Sequence, residues 1–238
     1  MGQQYPATYT DVYGREQVTI ELALDGQHMS LVLRGVRFQA SAFDLIYVWP
    51  ADQKPEDLQR VPLQDVYITV GKGQVAQQAL SDYTLHWEMP LQIVRQAQIL
   101  PGVLQCSLEQ SGPTAEHRYG RSQLTLVLLV DQQTFEVTNH DPAMGLNLKR
   151  LQKQLPEGMY LKCCQFCALS ADDLFSSGLL CYRRAKKQIR AVKHLPVHNK
   201  IHHPIYALRN EALYVQEMYL CPEFEEDPVT IAQARTYG

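Results

Sequence analysis

Apolar and polar positions alternate in short runs over the first 138 residues. Val18, Ile20, Leu22 and Leu24 alternate with Thr19, Glu21 and Ala23, the period-2 pattern of a strand with one buried face. Asp25-Gly26 supplies a two-residue turn, and Met29, Leu31 and Leu33 alternate on the return, which predicts a hairpin. Further runs cover residues 43–49, 66–70, 83–97, 103–108, 123–130 and 134–137. Turn signals at Gly71-Lys72-Gly73, Pro101-Gly102 and Asp131-Gln132-Gln133 punctuate them. Pro90 lacks a backbone donor and marks an edge or a bulge within its run. Many short strands separated by regular turns predict an antiparallel β-sandwich or barrel-like sheet.

The period then changes. Asp141-Pro142 fits the N-cap and first position of a helix. Met144, Leu148, Leu151 and Leu155 follow at helical spacing until Pro156 and Gly158, so one amphipathic helix is predicted over 143–154. Strands are predicted over 159–163 and 213–221. The expected class is α+β and mostly β: a sheet, one packed helix and a C-terminal cysteine-containing module. No linker rich in Gly, Ser or Pro divides the halves. The chain is therefore read as one composite domain, 1–238, with a β-rich portion at 1–138 and the helix and cysteine module at 139–238.

Composition narrows the function classes. The 238 residues can bury a sizeable core, and 45% hydrophobic with 20% charged residues is ordinary for a globular protein. A net charge of −3 argues against the whole molecule acting as an electrostatic binder of nucleic acid. The first residues have neither a basic start nor an apolar h-region, so no secretory signal is read there. Pro6 stands where a myristoylation motif has Ser or Thr. No apolar run is long enough to span a bilayer. The expected compartment is the cytoplasm, where thiols stay reduced.

That expectation bears on Cys106, Cys163, Cys164, Cys167, Cys181 and Cys221. Four of them form Cys164-x2-Cys167-x13-Cys181-x39-Cys221. A Cys-x2-Cys turn lets both sulfurs face one point, and tetrahedral zinc needs two more soft ligands from elsewhere at about 2.3 Å. Cys181 and Cys221 are the expected completing ligands, with Cys163 as an alternate for Cys164. In an extended chain Cys163 and Cys164 point to opposite faces. Two other readings stay open: buried cysteines acting as small hydrophobes, and a redox or nucleophilic cysteine. The last would need a base within hydrogen-bond reach, and His140 and His194 are available only by residue type.

From 183 to 203 the chain carries Arg183, Arg184, Lys186, Lys187, Arg190, Lys193 and Lys200, with no Asp or Glu. An anionic partner such as nucleic acid is one reading. A solvated face offset by the acidic tail Glu223-Phe224-Glu225-Glu226-Asp227 is the preferred one, because few aromatics interleave the run for base stacking. His198 and His202 share a helical face only if that segment is helical, and Pro196 and Pro204 bracket it. HNKIH lacks the Glu of the zinc-protease motif. No P-loop, GxSxG or dinucleotide fingerprint is present.

The strings YLKCCQFC (160–167), GLLCYR (178–183) and VQEMYLCPEFE (215–225), with GVRFQASAFDLI (35–46), resemble an uncharacterised bacterial family, a domain of unknown function. The resemblance implies no activity, substrate or cofactor. It implies that these cysteines and the segment from VQE to Cys221 belong to one spatial unit. Taken together, the sequence points to a non-enzymatic binding or scaffolding protein with a structural zinc site and a protein partner. A cysteine-dependent enzyme or redox sensor, and a binder of an anionic partner through 183–203, are the alternatives.

Overall fold

The computed structural model describes residues 3–23, 29–40, 46–49, 54–70, 73–116, 120–172, 179–196, 203–215 and 217–237. The Asp25-Gly26 turn, His198 and His202 lie outside them. Eleven strands precede the helical region. They are β1 (Gln3–Asp11), β2 (Gly14–Leu22), β3 (Met29–Leu33), β4 (Val36–Ala40), β5 (Tyr47–Val48) and β6 (Leu63–Val70), then β7 (Gly73–Leu80), β8 (Tyr83–Arg95), β9 (Gln98–Gln110), β10 (Ser122–Val130) and β11 (Gln133–Asn139). With β12 (Met159–Leu161) they form one sheet of 12 strands. Its order is β11-β10-β9-β8-β1-β2-β3-β4-β5-β7-β6, and β12 pairs with β8. Every pairing is antiparallel. The sheet is mostly β as expected, and it is not a closed barrel: β11 and β6 are its two ends.

Burial follows the alternation in the sequence. Val18, Ile20 and Leu22 of β2 are buried between exposed neighbours, and β2 and β3 pair with Leu22 opposite Met29. Along β8 the buried side is Tyr83, Leu85, Trp87, Met89, Leu91 and Ile93. β8 pairs with β9 along its whole length. On its other side it pairs with β1 at residues 83–87 and with β12 at 93–95. Pro90 falls in the gap between these two neighbours. Lys162 N donates to Gln92 O at 2.7 Å on that side. The N–H and C=O of one strand residue point the same way, so Pro90, two residues earlier, turns its missing donor to the unpaired side.

Pro101-Gly102 is not a turn. Both residues lie inside β9, where Gln92 faces Pro101 and Leu91 faces Gly102. The chain reverses at Gln96-Ala97, whose φ values are +49° and +68°. That is a primed two-residue turn, which suits strand twist even without Asn-Gly. Gly102 serves a different need: a Cβ there would lie 2.5 Å from Ile93 Cδ1 and 3.2 Å from Leu129 O, so it permits close approach of the strands. The predicted hairpin at Asp131 does form, with φ of +49° and +61° at Asp131 and Gln132.

Helix α1 is a single turn (Pro55–Leu58), and α2 spans Met144–Gln154. α2 begins later than Asp141-Pro142 implied. The Asp141 carboxylate accepts from Ala143 N at 3.0 Å, a local turn in front of the helix. Met144, Leu148 and Leu151 face the core. Gln152 is also fully buried: its Nε2 donates to Met159 O at 3.0 Å and its Oε1 accepts from Leu161 N at 2.9 Å. That pair fixes β12 against α2.

Two further helices were not expected, α3 (Lys186–Val192) and α4 (Pro228–Tyr237). Arg235 of α4 donates to Leu155 O, Pro156 O and Met159 O, clamping the turn after α2. A second, three-stranded sheet runs β13 (Ser170–Asp172), β14 (Leu179–Cys181) and β15 (Leu213–Val215). The strand expected over 213–221 therefore ends at Val215, and Cys221 lies beyond it.

Candidate functional site

The cysteine module forms where the chain leaves β12 on the edge of the main sheet. Cys163 is extended, with φ −146° and ψ 170°, so it and Cys164 face opposite ways as the alternation requires. Cys163 joins the main core. Cys164 packs instead with Cys181, Cys221, Leu179 and Val215. Cys167 packs in a third cluster, with Leu169, Leu180, Tyr182, Ile189 and Ile205, so of the expected ligands Cys164, Cys181 and Cys221 share one cluster and Cys163 and Cys167 lie in its neighbours.

A 3₁₀ turn over Cys164–Phe166 carries the chain to Cys167, whose N–H donates to Cys164 O at 3.1 Å. The carbonyls of this turn are held from outside. Ser170 Oγ donates to Cys164 O and Cys167 O, and Lys193 Nζ donates to Cys167 O at 2.7 Å. Both carbonyls also accept a backbone N–H, Cys164 O from Cys167 and Cys167 O from Ser170, so the single Ser170 hydroxyl proton, shared between them, and Lys193 fill their remaining lone pairs and fix the turn. The returning C-terminal segment completes the unit: Cys164 N donates to Tyr219 O at 3.2 Å and Gln165 N to Glu217 O at 2.9 Å. The four motif cysteines and the segment leading to Cys221 are one spatial unit.

All six cysteines are free and buried. Cys164 and Cys221, far apart in sequence, pack side by side in one buried cluster, where a thiol–thiol hydrogen bond couples their protons. That bond pushes the Cys164 thiol well up, and it draws Cys221 down to about 6 against the opposing effect of burial. Cys164 also feels the charges of Cys163, Cys167 and Cys181, and Cys181 feels Cys221 and Cys167. Backbone amides face the sulfurs in a repeated pattern. The N–H two residues on donates to Cys167 (Leu169, 3.5 Å), Cys181 (Arg183) and Cys221 (Glu223). Amides that point at sulfur favour the thiolate. Burial still holds Cys167 and Cys181 above the ordinary thiol range, and pushes Cys163 up to about 12. Cys106 lies in the main sheet, apart from the cluster, and burial raises it as well.

Among the described residues, no group of three or more His, Cys, Asp or Glu side chains is arranged to hold a metal ion. Tetrahedral zinc at about 2.3 Å from each sulfur needs sulfurs about 4 Å apart, so the thiols would have to close further.

The basic segment meets the acidic tail directly. Lys186 pairs with Glu223 at 2.9 Å and Glu225 at 3.6 Å, Arg190 pairs with Glu225, and Lys193 pairs with Asp227 at 2.6 Å. Asp227 was expected only as one charge of that tail, yet it is 2% exposed. It accepts from Lys193, from His194 Nε2 at 3.0 Å, and from Thr230 N and Oγ1 at 3.3 and 2.6 Å. It is also the N-cap of α4, with Pro228 in the first helical position. Burial would raise its carboxyl, but the charge and hydrogen bond of Lys193 and the bonds from Thr230 win, lowering it to about 2. Asp-Pro before an apolar periodic run was the sequence signal for this cap. Its burial was not legible, because it depends on where Lys193 returns. His194 is thus held by a carboxylate rather than by a thiol, and His140 is exposed.

No helix among the described residues is long and apolar enough to cross a membrane. No curated protein and no solved structure matches the chain. A family model matches residues 3–170, a span that includes Cys163, Cys164 and Cys167 and stops before Cys181 and Cys221. On that match the chain belongs to DUF6304, a family of unknown function.

Proposed function

We propose that this is a non-enzymatic binding or scaffolding protein of a reducing, cytoplasmic compartment. It is built as one composite domain, in which a β platform carries a module clasped by a single structural zinc on Cys164, Cys167, Cys181 and Cys221. The observation that carries the reading is the packing of Cys164, Cys181 and Cys221 in one buried cluster. It brings the Cys-x2-Cys turn and the C-terminal return together inside a buried apolar shell. The donor set suits zinc, since four thiolates are soft ligands. Amides at three of the sulfurs, and the Arg183 guanidinium beside Cys181 and Cys221, offset the negative charge that four thiolates bring. Metal binding would supply the energy for drawing the sulfurs closer, because ligation in small modules is also folding energy.

Elemental analysis of protein purified without metal-affinity resin tests the reading. About one zinc per chain is expected, falling to near zero in Cys221→Ser and unchanged in Cys106→Ser. Less than about a tenth of a zinc, with all six thiols titrating freely in the folded protein, would overturn it. Metal-free protein that oxidises reversibly to a Cys164–Cys221 disulfide would establish the redox-sensor reading in its place.

A further inference from the structure

The outer face of the platform carries a cleft of about 470 Å³ where β1 parts from β8. Pro6, Thr8, Gln17, His86, Glu88 and Gln105 are among its lining residues. β1 and β8 pair from Asp11 opposite Tyr83 to Ala7 opposite Trp87, and the ladder stops there. Continued in register, Pro6 would face Glu88, and Gln4 would face Pro90. Opposite residues of an antiparallel ladder point their N–H and C=O at each other or both away, in alternation. Pro90 points to the β1 side, so His86 and its opposite Thr8 point at each other, and Pro6 shares that direction. Neither proline has an N–H to give. Two missing donors end the ladder and leave an excess of carbonyl oxygens in the opening.

A carboxylate adds to that excess. Glu88 is exposed and accepts from Gln105 Nε2 at 2.8 Å. No Lys or Arg is among the described lining residues, and the chain has no lysine between Lys72 and Lys149.

Next to Glu88 an apolar strip crosses three strands. Pro90 faces Val103, and Val103 faces Leu129. Val103 and Leu129 are 38% and 37% exposed. Contiguous apolar side chains on an outer face mark a contact surface. The adjoining row runs Glu88, Gln105, Val127 and Glu136, so a carboxylate stands at each end of the strip's border.

We propose that this face docks an extended segment of a partner protein, whose arginine enters the cleft and whose apolar residues lie on Pro90, Val103 and Leu129. A guanidinium has five N–H donors and no acceptor, which complements an opening rich in carbonyls, and its fork matches a carboxylate. The site rests on the binding-protein reading above and names its face and its partner's chemistry. It uses none of the four proposed zinc ligands, so zinc content and this docking fail separately.

The test titrates short fluorescein-labelled peptides into the full chain and reads anisotropy. In the first peptide, arginine, valine and leucine alternate with serine. In the others citrulline or glutamate replaces the arginine, or serine replaces the valine and leucine. The first is expected to bind saturably, and citrulline or serine replacement to weaken it about tenfold, the loss of one charged or apolar anchor. Glu88→Gln should weaken the arginine peptide and leave the citrulline peptide unchanged, whereas Leu129→Gln should weaken both. Both substitutions alter exposed side chains. N-acetylarginine amide, used as a competitor, should bind more weakly than the peptide because it cannot reach the strip. No saturable binding, equal binding of the glutamate peptide, or equal affinity of the amide and the peptide would each overturn the proposal. So would a loss in Glu88→Gln that is the same for both peptides. Self-association of the chain that disappears in Leu129→Gln would make a second copy the occupant and overturn it as well.

Discussion

Asp227 concentrates in one side chain the forces that hold the C-terminal region in place. Its carboxylate caps α4, anchors Lys193 and orients His194. Lys193 is itself only 10% exposed, so replacing Asp227 would leave a nearly buried ammonium without its counter-charge. Breaking such a pair from one side costs about 3–5 kcal/mol. Asp227→Asn is therefore expected to destabilise the protein by about 3 kcal/mol near neutral pH, read by urea unfolding. The sign of the pH effect follows from the lowered carboxyl. A group at about 2 when folded, against the ordinary 3.8, adds stability above about pH 4 and loses it as pH falls toward 2. The gap between wild type and Asp227→Asn should accordingly shrink across that window. A gap that stays constant from pH 6 to pH 2 would show that the charge of Asp227 does not carry its role. The sequence made the charge balance legible, since a basic run and an acidic tail stand close together. Asp227-Pro228 carries a cap signal that Glu223, Glu225 and Glu226 lack, but it could not show that Asp227 alone is buried, because burial is decided by tertiary return. The opposite facing of Cys163 and Cys164 was legible, because it needs only the two-residue period of an extended chain.

Among the secondary elements, strands with strong apolar contrast were readable and weakly contrasted ones were not. β2 and β3 show Leu, Ile and Val against polar residues, and their alternation gave the buried face directly; β8 and β10 were legible as strands, without their buried face. β1 alternates Tyr5, Ala7 and Tyr9 with Gln4, Pro6 and Thr8, a pattern too low in contrast to stand out, although it sits between β8 and β2. β7, GQVAQQAL, has the same difficulty. Turn chemistry misled at Pro101-Gly102, because the pair is a strong turn signal and the local need there is spatial. Gly102 has no Cβ where Ile93 and Leu129 press closest. Gly102→Val is expected to cost about 2–3 kcal/mol through overpacking, seen as a lower denaturant midpoint with an unchanged slope. The Ile93 contact is with a side-chain tip that can rotate, whereas the Leu129 contact is with backbone. Gly102→Val combined with Ile93→Ala should therefore recover only part of the loss. Full recovery would show that the side-chain contact alone sets the constraint.

The C-terminal region enters the main core itself, which bears on how the molecule unfolds. Met218, Ile231 and Ala234 belong to the same buried cluster as the β-sheet residues. Arg235 spans back to the turn after α2, and β12 is a strand of the large sheet. The family match ends at residue 170, inside this shared unit, so the matched span does not correspond to a separable layer. If the chain is one composite domain, the platform and the module must lose structure together. The two tryptophans, Trp49 and Trp87, both lie in the platform, and five of the six cysteines lie beyond residue 160. Tryptophan fluorescence and thiol accessibility thus report the two portions separately. Their urea transitions are expected to coincide in midpoint and slope. A chain ending at residue 170 would lose the three core residues and the Arg235 clamp, so it is expected to show no cooperative transition. Two separated transitions in the full chain, or a cooperative fold in the shortened one, would make the platform a domain in its own right. The cysteine module would then be an attachment to it rather than part of its core.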